Sequence, residues 1–182
     1  LRVRGTLGLI DAFPPQTRWR QQPQGYITRI YSCAAERAAE LGYRLEIFSL
    51  TEPGMTARRV QSILDARGVT GLMIPPLPED VHTLPINWDN YTSIALTHSL
   101  QNPALHRVLP HQYQSAALAL EQLHAKGYRR IGFVTWSELD VRVNHLFRAA
   151  YLSYQFTVPK TDCLPLLMTD APLQQVFPEW CE

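Results

Sequence analysis

Trp136, Glu138, Asp140 and Arg142 place an indole, two carboxylates and a guanidinium within one seven-residue stretch. Such a set suits a polar ring such as a sugar or nucleoside, which offers an apolar face for stacking and polar edges for hydrogen bonds. The same residues also allow a structural reading, in which Trp136 plugs a strand end and the charges cap a helix opening at Asp140. No catalytic constellation accompanies them. Six histidines, at 82, 98, 106, 111, 124 and 145, contain no His-x-x-x-His pair, and Cys33, Cys163 and Cys181 lack metal-ligand spacing. No serine is flanked by glycines as in a nucleophile elbow. Gly68 to Gly71 lacks the Lys-Ser/Thr of a phosphate loop, and Thr6-Leu7-Gly8 lacks the later glycines of a dinucleotide fingerprint. The chemistry is that of binding, with no enzyme activity, no metal and no cofactor expected.

These residues need a scaffold, and the chain spells one repeatedly. An alanine- and leucine-rich helix ends at Gly42-Tyr43-Arg44 and runs into the strand Leu45 to Leu50; the same layout returns at Gly127-Tyr128-Arg129, before Arg130 to Val134. A glycine there can take the left-handed conformation that stops a helix and turns the chain. A third copy ends at Gly68 and enters the strand Gly71 to Ile74. Each copy is half of a βαβ crossover, which predicts an α/β fold with parallel sheets.

The remaining elements follow from periodicity. Thr6 to Ile10 reads as a first buried strand, ending at Asp11 before a long proline- and glutamine-rich loop that carries Phe13 and Trp19. Ile27, Ile30, Tyr31, Ala34, Ala38 and Leu41 form one face of a first helix, in which Cys33 is expected to be a small buried thiol. Thr56 is a predicted N-cap for a second helix with Val60, Ile63 and Leu64 as its stripe. Further strands are predicted over 92–96, 107–109 and 164–168, and helices over 112–126, from Asp140 through Tyr151, and over 172–180. In an open parallel sheet ligands bind beyond the carboxyl ends of the strands, which selects Asp11, Ser49, Pro75, Thr97, His98, Thr135 and Trp136 as a binding rim.

Composition sets outer bounds. The chain has 182 residues, 46% hydrophobic and 18% charged, with a formal net charge of +1, so no charge imbalance calls for nucleic acid or a membrane surface. Arg2, Arg4, Arg18 and Arg20 form a modest basic cluster, read as a solvated end of the molecule. No apolar run approaches the ~18 residues of a membrane-spanning helix. Three cysteines form no disulfide framework, so a reducing, cytoplasmic setting is expected.

The order of elements resembles the LacI/GalR family of bacterial transcription regulators. The resemblance is carried by Thr6-Leu7-Gly8-Leu9-Ile10, by Glu40-Leu41-Gly42-Tyr43, by Gly68-Val69-Thr70-Gly71-Leu72-Met73-Ile74, and most specifically by Leu123 to Val134 with its Gly127-Tyr128-Arg129-Arg130-Ile131-Gly132 core. It implies a periplasmic-binding-protein type I-like fold of two Rossmann-like lobes clasping an effector, a sugar or related polar metabolite. Residues 1–109 would form the N-terminal lobe and 110–182 the start of an incomplete C-terminal lobe. A helix-turn-helix would lie upstream, outside this chain, and carry the contact with operator DNA. A homodimer with no membrane partner is implied as well.

The resemblance and the rim together nominate Asp11, Phe13, Thr97, His98, His111, Trp136, Asp140, Arg142 and Arg148 as effector-binding residues. His111 follows Pro110 where the family often has an acidic residue near the first crossover. Arg142 and Arg148 both qualify as the arginine that follows the fifth strand. A solute-binding protein of an importer, which shares the fold, is the alternative.

Overall fold

The structure is a computed structural model that describes residues 4–17 and 25–181. Arg2, Arg18, Trp19 and Arg20 lie outside the described residues. The chain divides into two compact units, Leu1–Leu109 and Pro110–Glu182.

In the first unit, β1 (Gly5–Asp11), α1 (Tyr26–Glu40), β2 (Tyr43–Ser49), α2 (Ala57–Ala66), β3 (Val69–Ile74), β4 (Thr92–Ala95) and β5 (His106–Arg107) follow in order. The sheet is parallel throughout, with strand order β2-β1-β3-β4-β5. The chain leaves β1 toward β2 on one side and returns across β1 to β3 on the other. The carboxyl ends of β1 and β3 therefore border the topological switch point, where an open α/β sheet leaves a crevice.

Alternation sorts each strand between two cores. Ile10, Phe48, Leu72, Ile74 and Ala95 pack with Val60 and Leu64 of α2. Leu7, Leu9, Leu45, Ile47 and Met73 pack with Ile27, Tyr31, Ala34, Ala35 and Ala38 of α1. Val69 is an odd number of positions from Leu72 yet joins the α2 side. A one-residue register shift in the β1–β3 pairing, between Thr6 and Leu7, permits this. Each fully buried leucine or isoleucine here, such as Leu64 or Ile74, contributes roughly 1.5–3 kcal/mol. Gly8 is needed on the α2 side because a Cβ there would meet Leu72 Cδ2 at 3.0 Å and Phe48 Cδ2 at 3.1 Å.

The three helix-ending glycines carry the conformations their positions demand: φ is 81° at Gly42, 61° at Gly68 and 91° at Gly127. Thr56 caps α2, its Oγ1 accepting the Arg59 N–H at 3.2 Å. Cys33 departs from expectation. It is exposed, because Tyr31, Ala34, Ala35 and Ala38 hold the contact face and leave Cys33 on the far flank. Leu41 is exposed too, at the end of the same helix.

The second unit contains α3 (Gln112–Ala125), β6 (Val134–Thr135), α4 (Ser137–Arg142), α5 (Leu146–Gln155), β7 (Leu167–Met168) and α6 (Leu173–Cys181). Leu120, Ile131 and Tyr151 form its core with Phe133, Tyr154 and Leu166. The Phe133 and Tyr151 rings stack at 5.4 Å between centroids.

Two predicted strands are shorter than their sequences suggest. The ladder pairs only Val134 with Leu167 and Thr135 with Met168, rather than running over 130–134 and 164–168. Pro165 has no N–H to offer a ladder. Ahead of the pairing, the Tyr151 hydroxyl lies 3.1 Å from the Ile131 carbonyl oxygen and 2.8 Å from that of Leu164. The Pro165 carbonyl accepts from the Trp180 indole N–H at 3.0 Å. Side chains thus take carbonyls that a longer ladder would have used. In the first unit, the short strand expected over 107–109 is His106–Arg107 instead.

The single helix expected to open at Asp140 is two helices. Asn144 and His145 between them are left-handed, with φ of 53° and 60°. The chain folds back so that the His145 N–H reaches the Asp140 carbonyl at 2.7 Å. Asp140 sits inside α4 rather than at its start.

Candidate functional site

The carboxyl end of β1 is pinned by its own side chains. Asp11, 5% exposed, accepts the Phe13 N–H on Oδ1 at 3.0 Å. From the end of β2, Thr51 donates its hydroxyl to the Phe13 carbonyl at 2.8 Å, and Leu50 N–H bonds the Asp11 carbonyl at 2.8 Å. Phe13 is held through both backbone groups, with its ring packed beside the α1-side core. Thr51 was not among the predicted site residues; a threonine two positions past a strand carries no distinguishing signal in sequence.

Beyond β4, Thr97 Oγ1 lies 2.7 Å from Ser99 Oγ, and Ser99 Oγ accepts the Leu77 N–H at 3.0 Å. His98 beside them is partly buried, and its Nε2 is shielded without a hydrogen-bond partner. Desolvation, with the Arg107 charge adding to it, holds the imidazole below its ordinary value of 6.5. At neutral pH it is an uncharged donor and acceptor. Asp11, Phe13, Thr97 and His98 all lie at carboxyl ends of this one sheet. His111 belongs to the second unit. It caps α3, Nδ1 accepting the Gln114 N–H at 3.2 Å.

In the second unit Val134, Thr135, Trp136, Glu138, Thr169, Asp170, Ala171 and Leu173 line a cavity of about 590 Å³. It opens at the carboxyl ends of β6 and β7. Trp136 is 51% exposed there, immediately before α4, so its indole is a wall of this cavity rather than a plug. Asp170 accepts the Ser137 N–H at 2.9 Å, joining the segment after β7 to the start of α4. Glu138 pairs with Arg142 at 3.4 Å.

Asp140 is set apart from that surface. It is 3% exposed, and its Oδ2 lies 2.7 Å from His145 Nδ1 and 3.1 Å from Arg148 Nη2. Of the two arginines nominated from sequence, Arg142 therefore pairs with a cavity residue and Arg148 with a buried carboxylate. Thr169, Asp170 and Leu173 were missed in sequence. Their segment follows a two-residue strand interrupted upstream by Pro165, so nothing local marked them as the partner of the Trp136 loop. Among the described residues no group of His, Cys, Asp and Glu is arranged to hold a metal ion. None of the helices is long and apolar enough to cross a membrane, again among those residues.

No family model matches the sequence, and no curated protein matches it. Solved structures do match. A LacI-family regulatory protein from Chloroflexus aggregans aligns over 93% of this chain with a TM-score of 0.59 and 16% identity. A ribose operon repressor from Lactobacillus acidophilus aligns over 98% with a TM-score of 0.58 and 14% identity. A periplasmic binding protein/LacI transcriptional regulator from Alkaliphilus metalliredigens, complexed with D-xylulofuranose, aligns over 94% with a TM-score of 0.57 and 17% identity. This chain spans 59%, 64% and 60% of those three chains, respectively. The parallel order β2-β1-β3-β4-β5 and the second α/β unit thus have the fold of LacI-family transcription regulators.

Proposed function

We propose that this chain is the ligand-sensing part of a LacI-type transcription regulator. It would bind a small polar effector and control the DNA affinity of a homodimer through a DNA-binding segment outside these residues. The observation that carries the reading is the fold likeness to proteins named as regulators, spread over nearly the whole chain. Sugar-related names among them, ribose for one operon and D-xylulofuranose as a bound molecule, support a sugar or similar metabolite as effector. The Trp136 cavity, with an aromatic wall beside polar groups, has the composition such a ligand needs. The effector would act by favouring one of two conformations, so that ligand affinity and DNA affinity become linked. A regulator of this kind works in the cytoplasm.

The test is DNA binding by the natural full-length protein, using fragments that flank its own coding region. Mobility shifts that change on adding a sugar support the regulator. A cleavable signal peptide ahead of residue 1, with no DNA binding, would move the same fold to the importer reading.

A further inference from the structure

The cavity beside Trp136 is unevenly charged. Among the described residues its lining includes the carboxylates of Glu138 and Asp170 and no lysine, arginine or histidine. Arg142 neutralises Glu138 in part, through a contact of 3.4 Å. Asp170 spends Oδ1 on the Ser137 N–H. That bond matters because free N–H groups at the start of a helix would otherwise favour an anion. Here the first of them already faces a carboxylate, so an anionic ligand meets negative charge.

Two further groups point to a ligand. Thr135 is 3% exposed and lines the cavity, yet no hydrogen bond to its hydroxyl is found among the described residues. That hydroxyl is not among the buried side-chain atoms left without a partner, so it is within reach of the cavity and a ligand polar group can bond to it. The indole of Trp136, half exposed, offers a face that attracts cations as well as apolar rings.

We infer that this cavity selects an amine-bearing small ligand, its ammonium drawn to Asp170 and the Trp136 face and a hydroxyl of the ligand meeting Thr135. The inference rests on the effector-binding reading and narrows it. A neutral sugar would use the same wall but bring no cation to Asp170. A sugar acid would be repelled.

The experiment is calorimetric titration of the intact protein with three forms of one ring: glucosamine, glucose and glucuronate. Glucosamine is expected to bind about tenfold more tightly than glucose, with no measurable binding of glucuronate. Asp170→Asn keeps an acceptor for Ser137 but removes the charge, and Glu138→Gln does the same at the other wall. In either variant the preference for the amine should shrink while the thermal midpoint is held. Equal affinities for glucosamine and glucose, tighter binding of glucuronate, or no binding of any of the three overturns the inference. Amine-selective binding that leaves DNA affinity unchanged would instead overturn the regulator reading and leave this selectivity standing.

Discussion

His145 Nδ1 lies 2.7 Å from Asp140 Oδ2, and this contact spans the left-handed link that separates α4 from α5. Arg148 reaches the same oxygen at 3.1 Å from the following turn of α5. One buried carboxylate therefore ties three segments together: the helix that begins after Trp136, the link, and the helix carrying Tyr151. Non-glycine residues in left-handed conformation cost free energy that surrounding contacts must offset.

Replacing Asp140 with Ala should destabilise the protein by about 1–3 kcal/mol. The figure is held below that of a fully buried broken pair because Arg148 and His145 are partly exposed and can be rehydrated. Urea unfolding of the variant checks it. A loss under ~0.5 kcal/mol would mean that the left-handed link holds without the carboxylate.

Trp136→Ala should abolish the spectroscopic response to effector while changing stability by less than about 1 kcal/mol, since half of the side chain is already in solvent. Ligand titration beside thermal melting separates the two effects. Loss of folding would instead make Trp136 a core residue.

Gly8 has no room for a side chain. Gly8→Ala should cost about 1–3 kcal/mol, because the new Cβ presses on Leu72 and Phe48 in a sheet that has packed core behind it. Gly68→Ala is a useful contrast. Nothing lies within 4 Å of its added Cβ, so its loss, of order 1 kcal/mol, would come from the left-handed backbone alone. Paired denaturation curves of the two variants measure the difference.

Tyr91 donates its hydroxyl to Asp65 Oδ1 at 2.9 Å, and desolvation first, then this carboxylate, pushes its pKa up to about 12 from 10.0. A raised folded-state value means that the fold favours the protonated phenol. This stabilisation is complete below pH 10 and is lost as the pH rises through about 12. Stability measured across that window should fall less steeply in Tyr91→Phe than in the native protein. An unchanged slope would place the alkaline loss on other groups.

Much of the fold was legible because it rests on local rules. The α1 face at Ile27, Tyr31, Ala34 and Ala38, the Thr56 cap and the left-handed glycines at 42, 68 and 127 each depend on residues within a few turns of one another. The two-helix break at Asn144 and His145 was not legible. It depends on a side-chain contact back to Asp140 that no periodicity records. The short β6–β7 ladder escaped for a similar reason, since Tyr151 takes the carbonyl oxygens from a helix that follows β6 in the chain.

By itself the sequence determined an α/β chain of parallel strands and the residues at which those strands end. Helix stops, caps and alternation are short-range, so residue types alone carry them. Only the tertiary structure decided which polar groups are paired with one another. It buried Asp140 against His145 and Arg148 and brought Asp170 to the Trp136 loop. Asp170 reaches Ser137 from 33 residues away, and that pairing exists only once β6 and β7 have met.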